Sequence, residues 1–109
     1  MRYEEIELIR EEEIALIYLN RPKALNALSE TMKNELIHAL KETEDDDDIR
    51  VLILTGRGRG FCAGADLNRF IEAQKEDGDQ KRKFKFGSLD FPRAFIQYPK
   101  PIIAAINGP

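Results

Sequence analysis

A short apolar run that ends in a glycine-rich segment constrains the fold of this chain more than any other feature. Residues 51–56 (VLILTG) predict a buried strand over Val51–Leu54, because the run is apolar on both faces and closes on glycine. Three further glycines follow, and then a polar segment that predicts a helix beginning near Asp66-Leu67. A strand, a glycine turn and a helix N-terminus together direct several backbone N–H groups to one side, which favours an anion or a developing oxyanion.

The same pattern is also typical of a turn that only reverses the chain, so both interpretations stay open at this point. Two nucleotide-binding motifs are excluded. No Gly-Lys-Ser/Thr follows the glycines, and the spacing of Gly56, Gly58 and Gly60 is not that of the dinucleotide fingerprint.

The order of predicted elements is β-β-α-β-α-α-β, which indicates an α/β fold. Residues 6–10 and 14–19 predict a hairpin, and Ser29 is a candidate N-cap for a helix over Glu30–Thr43. A short helix is predicted from Pro92 to Tyr98 and a last strand over Ile102–Ile106. Because helices alternate with strands after the hairpin, we expect parallel crossovers.

Composition excludes several classes of function. The chain has 109 residues, enough for one domain, and its net charge of −3 gives no reason to expect a nucleic-acid partner. No apolar run approaches the ~20 residues that span a bilayer, so no membrane partner is expected. The one cysteine, Cys62, cannot form an internal disulfide, which favours a cytoplasmic location.

Most side chains that could carry chemistry have an ordinary structural interpretation. His38 is the only histidine and lies off the apolar stripe of its helix, so we expect a solvated side chain rather than a catalytic dyad. Cys62 is expected to be a small packing residue, and Asp45–Asp48 a solvated loop without calcium-loop spacing. The basic stretch Lys81–Phe86 is weak evidence for nucleic acid and is expected to border a site. No metal site is predicted.

The remaining candidates for a chemical role are backbone N–H groups of the glycine-rich segment. If the N–H of Ala65 is turned into a pocket, it can donate to a carbonyl oxygen that gains negative charge. The small side chains at Ala63, Gly64 and Ala65 would allow a ligand to approach closely.

At these residues the chain resembles the enoyl-CoA hydratase/isomerase (crotonase) family. Three motifs match in order: residues 20–28 (NRPKALNAL) resemble the CoA-contact segment, residues 55–67 the first oxyanion-hole segment, and residues 99–109 the strand leading to the second. The resemblance covers nearly the whole chain and fits least over Glu72–Asp90.

The resemblance implies a site in which Ala65 donates its backbone N–H to the carbonyl of an acyl-CoA thioester. It places Lys23, Ala24 and Leu25 along the nucleotide and pantetheine of CoA, and Lys23 near a phosphate. The residues implied to flank the thioester and acyl entrance are Ala63, Gly64, Asp66, Leu67 and Asn68. No cofactor is implied, since coenzyme A is part of the substrate.

The resemblance further implies that residues 1–109 form the N-terminal part of a crotonase-like ββα spiral core, incomplete at the C-terminus. The family's second oxyanion donor and its acid/base carboxylates would lie beyond Pro109, so we expect this chain alone to lack hydratase activity. A complete protein would be a trimer-based homo-oligomer. The alternative is a short non-catalytic protein that binds acyl-CoA or associates with a full-length relative.

Overall fold

A four-stranded mixed sheet with one long helix packed on its face forms the body of the protein. We describe a computed structural model, which places residues 1–64 and 89–109. The strands are β1 (Ile6–Glu11), β2 (Ile14–Leu19), β3 (Val51–Gly56) and β4 (Ile102–Ala104), in that spatial order. The helices are a 3₁₀ turn at Pro22–Ala24, α1 (Glu30–Asp45) and α2 (Asp90–Ile96).

The strand pairing confirms the predicted topology. β1 and β2 form an antiparallel hairpin, whereas β2, β3 and β4 run parallel to one another. Parallel neighbours need long crossovers, and α1 supplies the one between β2 and β3. The hairpin, α1, β3 and the short helix α2 were therefore all predictable from the order of patterns. The helix predicted near Asp66-Leu67 and the basic stretch Lys81–Phe86 lie outside the described residues.

The core lies between α1 and one face of the sheet. The predicted stripe of Met32, Leu36 and Leu40 is buried, with Ala39 beside it. Across from it, β2 alternates strictly, so that Ala15, Ile17 and Leu19 are buried while the residues between them are half-buried, as period-two strands require.

The start of α1 is fixed as the sequence predicts. The Ser29 side chain accepts a hydrogen bond from the Met32 N–H at 3.0 Å, which satisfies one of the free donors of the first turn. The Ser29 hydroxyl also donates to the Glu5 carboxylate, which ties the helix to the approach to β1.

The prediction that His38 is solvated is wrong. His38 is half-buried, and its Nδ1 lies 2.8 Å from the Tyr3 hydroxyl, because the N-terminal segment folds over this side of α1. Buried Glu35 holds that segment by accepting the N–H groups of Glu4 and Glu5, both at 2.8 Å. Burial, together with the nearby carboxylate of Glu42, raises the pKa of Tyr3 to about 12.

Two predicted element ends differ from the structure. α1 continues two residues past Thr43 and stops at Asp45, where the Asp46 side chain accepts the Asp48 N–H at 3.0 Å. β4 ends at Ala104 instead of Ile106: beyond it, the Ala105 carbonyl accepts the Thr55 hydroxyl, and the Gly56 N–H is taken by the Asn107 side chain instead of a main-chain carbonyl. β4 lies at the edge of the described sheet, and Ile103 there is 53% exposed.

Among the described residues, no helix is long and apolar enough to cross a membrane.

Lys100 offers a test of how α1 is terminated. The last turn of α1 contains no basic residue, and the Lys100 ammonium instead donates to the carbonyls of Thr43 (2.7 Å) and Asp46 (2.8 Å). Lys100→Met should lower the free energy of unfolding by about 1–3 kcal/mol, because two carbonyls lose a charged donor near the negative helix end. Urea unfolding measures the change.

The control is Lys41→Met, which removes an exposed ion pair with Asp45 of 3.2 Å on the same helix. Exposed pairs of this kind contribute about 0.5 kcal/mol. Equal losses in the two variants would contradict the capping role of Lys100.

Candidate functional site

A glycine turn at the end of β3 meets the 3₁₀ turn that follows β2. Backbone hydrogen bonds join them directly: the Ala63 N–H donates to the Leu25 carbonyl at 2.9 Å, and the Leu28 N–H donates to the Gly64 carbonyl at 2.7 Å. The structure thus brings together two segments that the sequence predicted as parts of one site.

The 3₁₀ turn presents its side chains outward. Pro22 sets the turn, and Leu25 and Asn26 then take left-handed backbone conformations with φ of 51° and 57°. Such values are uncommon for residues other than glycine, and asparagine tolerates them better than leucine. Lys23 and Ala24 are exposed, and Leu25 is 37% exposed, so all three are available to a ligand.

Two open hollows follow this turn. One, of about 370 Å³, is lined by Asn20, Arg21, Pro22, Lys23 and Ala24. The other, of about 320 Å³, is lined by Leu25, Arg59, Gly60, Ala63 and Pro109. Every predicted substrate-binding residue that the structure describes borders one of these hollows, except Gly64, whose carbonyl is held by Leu28.

A third hollow, of about 200 Å³, lies between α1 and α2 and includes Lys41, Glu44 and Tyr98. Lys41 and Glu44 already pair with each other at 3.7 Å there. None of the motif residues lines it, so it is a weaker candidate for the ligand site.

The other predicted site residues lie outside the described part of the chain. These are Ala65, whose N–H is the predicted donor, and Asp66, Leu67 and Asn68. Their roles therefore stay predictions. Cys62 is half-buried against the core, which agrees with a packing role.

Three cations line the two hollows: Arg21, which pairs with Glu5 at 3.4 Å, and the exposed Lys23 and Arg59. Neither Lys23 nor Arg59 has an ion-pair or side-chain hydrogen-bond partner within residues 1–64 and 89–109. The sequence analysis did not identify Arg59 as a site residue, although a cation within the glycine-rich segment could have indicated it. Within the same described ranges, no three acidic, histidine or cysteine side chains group as a metal site would require.

A cross-strand cluster fixes where the glycine turn leaves the sheet. The Arg57 guanidinium donates to both carboxylate oxygens of Glu7, at 2.8 and 3.2 Å, and its Cζ lies 3.8 Å from the centre of the Tyr18 ring. The hydrogen bonds from Arg57 lower the pKa of Glu7 below its ordinary value. Arg57 is therefore occupied by the sheet and is not available to a ligand in this arrangement.

Gly56 is required by the close approach of these segments. A Cβ at this position would lie 2.5 Å from the Gly60 oxygen, 2.8 Å from the Asn26 amide nitrogen and 2.9 Å from the Phe61 oxygen. Any side chain here would push the turn away from Asn26.

Gly56→Ala should therefore destabilise the protein by about 3 kcal/mol or more, since two of the three clashing groups are backbone oxygens that cannot rotate away. Thermal unfolding followed by circular dichroism measures the loss. The comparison is Gly64→Ala, whose Cβ meets no described atom within 4 Å and is strained by a φ of 105°. That strain costs about 1–3 kcal/mol, so a larger loss at Gly64 than at Gly56 would contradict the steric argument.

Comparisons with known proteins identify the family. The sequence model of the enoyl-CoA hydratase/isomerase family matches residues 9–109. The chain is 40% identical over 99 residues to a 1,2-epoxyphenylacetyl-CoA isomerase of Escherichia coli K12, covering 90% of this chain and 38% of the relative. It is 39% identical over 109 residues to a crotonyl-CoA hydratase of Syntrophomonas wolfei, covering 99% and 41%.

The fold matches as well. The crystal structure of an enoyl-CoA hydratase/isomerase from Xanthobacter autotrophicus Py2 superposes with a TM-score of 0.87 at 34% identity, covering 99% of this chain and 40% of that one. The chain thus spans about two fifths of the length of these relatives. On these matches, the chain belongs to the enoyl-CoA hydratase/isomerase family.

Proposed function

We propose that this chain binds the coenzyme A part of an acyl-CoA thioester along the Pro22–Ala24 turn and the hollow beside it. The observation that carries the proposal is the hydrogen bond from the Ala63 N–H to the Leu25 carbonyl, which joins the glycine turn to the 3₁₀ turn. Lys23 lines the hollow on one side of this junction, and Arg59 lines the hollow on the other. Neither cation has a partner within residues 1–64 and 89–109. Both relatives named above act on CoA thioesters by their names, which supports the same ligand class here.

The charge at the site suits this ligand. CoA carries several phosphate charges, and Lys23 and Arg59 are exposed cations on a chain whose net charge is −3. Lysine acts there as a mobile point charge, whereas the arginine fork can contact a phosphate through two N–H groups. Leu25 and Ala24 would contact the pantetheine.

We further propose that the N–H of Ala65 polarises the thioester carbonyl. The support is the peptide unit that begins at Gly64, whose carbonyl accepts the Leu28 N–H at 2.7 Å. A planar trans peptide unit directs its N–H opposite to its carbonyl, so a carbonyl held toward Leu28 favours a donor that faces away from it. Asp66, Leu67 and Asn68 would then border the acyl group.

The reaction class proposed for the whole protein is hydration or isomerisation through a thioester enolate. A backbone donor of this type contributes ~3 kcal/mol to transition-state stabilisation. We propose that the second donor and the acid/base carboxylates are outside residues 1–109, and that the protein acts as a trimer-based homo-oligomer in the cytoplasm.

The binding proposal predicts that Lys23→Ala and Arg59→Ala each weaken the affinity for coenzyme A by about three- to tenfold, because each removes one exposed cation–phosphate contact. Isothermal titration calorimetry at low salt measures both. The losses should shrink as salt is added, since exposed charges are screened.

The matched control is Lys41→Ala, an exposed lysine on α1 that pairs with Asp45. Its affinity for coenzyme A should equal that of the unsubstituted chain. If all three variants bind equally well, the proposed position of CoA is wrong.

The donor proposal predicts a carbonyl signal. Acetyl-CoA labelled with ¹³C at the thioester carbon should show a downfield shift on binding, because a hydrogen bond withdraws electron density from the carbonyl. Ala65→Pro removes the N–H and should abolish that shift, whereas Ala65→Gly keeps the donor and should retain it. CoA binding with no shift in the unsubstituted chain would instead favour a non-catalytic acyl-CoA-binding protein.

A further inference from the structure

We propose that Asn26 and Asn107 are positioning residues that hold the glycine turn, residues 57–64, in the geometry that acyl-CoA binding requires. Their side-chain amides converge on one acceptor, the Gly60 carbonyl, from two segments far apart in the sequence. The inference rests on the proposed function for its ligand and on the described contacts for its geometry.

Asn26 is fully buried and uses its whole amide. Its Oδ1 accepts the Arg21 N–H at 2.7 Å, and its Nδ2 donates to the Arg57 carbonyl at 3.1 Å and to the Gly60 carbonyl at 2.9 Å. One NH₂ group therefore bridges the two ends of the tight turn 57–60, while the oxygen of the same side chain holds the start of the 3₁₀ turn. Aspartate lacks both donors and leucine lacks all three contacts.

Asn107 reaches the same turn from the segment after β4. Its Nδ2 donates to the Gly58 carbonyl at 3.1 Å and to the Gly60 carbonyl at 3.3 Å, and its Oδ1 accepts the Gly56 N–H at 3.2 Å. The Gly60 oxygen thus receives a donor from each side. A carbonyl oxygen has two lone pairs, so both donors can be accepted together.

The residues held by this junction are the ones that line the ligand hollow. Gly60 and Ala63 face the hollow of about 320 Å³ with Leu25, whose carbonyl accepts the Ala63 N–H. Gly58 and Arg59 are exposed, so apolar burial does little to fix the tip of the turn, whereas Gly60 is buried and Cys62 packs against the core. The two amides fix this tip from the side chains, in addition to the main-chain bond from Ala63 to Leu25, and a shift of either would separate the walls of the site.

The two asparagines differ in exposure, which makes the inference testable. Asn26 is buried, whereas Asn107 is exposed, so Asn107→Ala is expected to fold. Asn26→Ser is the second variant, because serine keeps one short polar side chain at the buried position. Asn34→Ala, at an exposed position on α1, is the matched control.

The first measurement needs no ligand. Amide hydrogen exchange by NMR should report opening of the turn at Phe61, Cys62 and Ala63, which bond to Pro109 and Leu25. In Asn107→Ala and Asn26→Ser these three amides should exchange roughly fivefold to tenfold faster, the change expected for one or two lost hydrogen bonds, with α1 amides unchanged in Asn107→Ala. Asn34→Ala should leave the three amides as they are.

The second measurement separates positioning from general stabilisation. Calorimetry gives the Kd of acetyl-CoA and of free coenzyme A for each variant, and their ratio isolates the contribution of the acyl end. Partial unfolding weakens both ligands equally and leaves the ratio unchanged. A displaced turn should change the ratio by about threefold or more, since it moves the acyl end relative to the nucleotide end.

Unchanged exchange in both variants would overturn the inference, and so would faster exchange with an unchanged ratio, which is what a merely stabilising contact gives. An unsubstituted chain that binds neither ligand would refute the proposed function instead. The exchange rates would then still decide whether the two amides hold the turn.

Discussion

The approach of Asn26 to the main chain at Gly56 and Gly60 is the contact on which the site depends. The Asn26 amide nitrogen would lie 2.8 Å from a Cβ at Gly56, so the asparagine can enter only because that Cβ is missing. Once inside, the side chain donates to the Arg57 and Gly60 carbonyls and accepts the Arg21 N–H. A buried polar group left without a partner costs about 1–3 kcal/mol. The contact therefore requires both glycine at position 56 and asparagine at position 26.

This contact also explains why the turn can be both small and ordered. Gly58 and Arg59 at the tip of the turn are exposed and gain little from apolar burial, so the geometry of the tip comes mainly from polar contacts. The bonds to Leu25, Leu28 and Pro109 supply them, together with the side chain of Asn107. The ligand hollow is consequently bounded by main-chain atoms whose positions are fixed by hydrogen bonds between distant segments.

The patterns that predicted the fold correctly are the local ones. The apolar run of β2, the Ser29 cap and the apolar spacing of α1 each depend on residues within a few positions of one another. The sequence-based predictions that were wrong concern features that depend on a distant segment. His38 is half-buried because Tyr3 folds over it, and β4 is short because Asn107 binds the end of β3. Asn26 is a third example. It lies within the motif of residues 20–28, yet no neighbouring residue indicates that its amide bridges the carbonyls of residues 57 and 60.

The sequence by itself determined the order of the elements, the parallel crossover and the segments that carry the family's motifs. Periodicity, glycine placement and capping residues are sufficient for these, because each reports a local preference of the chain. Only the tertiary structure decided which cations have no partner in the described part of the chain, which carbonyl the two asparagines share and which segments meet at Leu25 and Ala63. Those depend on distances between residues some 30 to 80 positions apart, and such distances exist only once the sheet has brought the segments together.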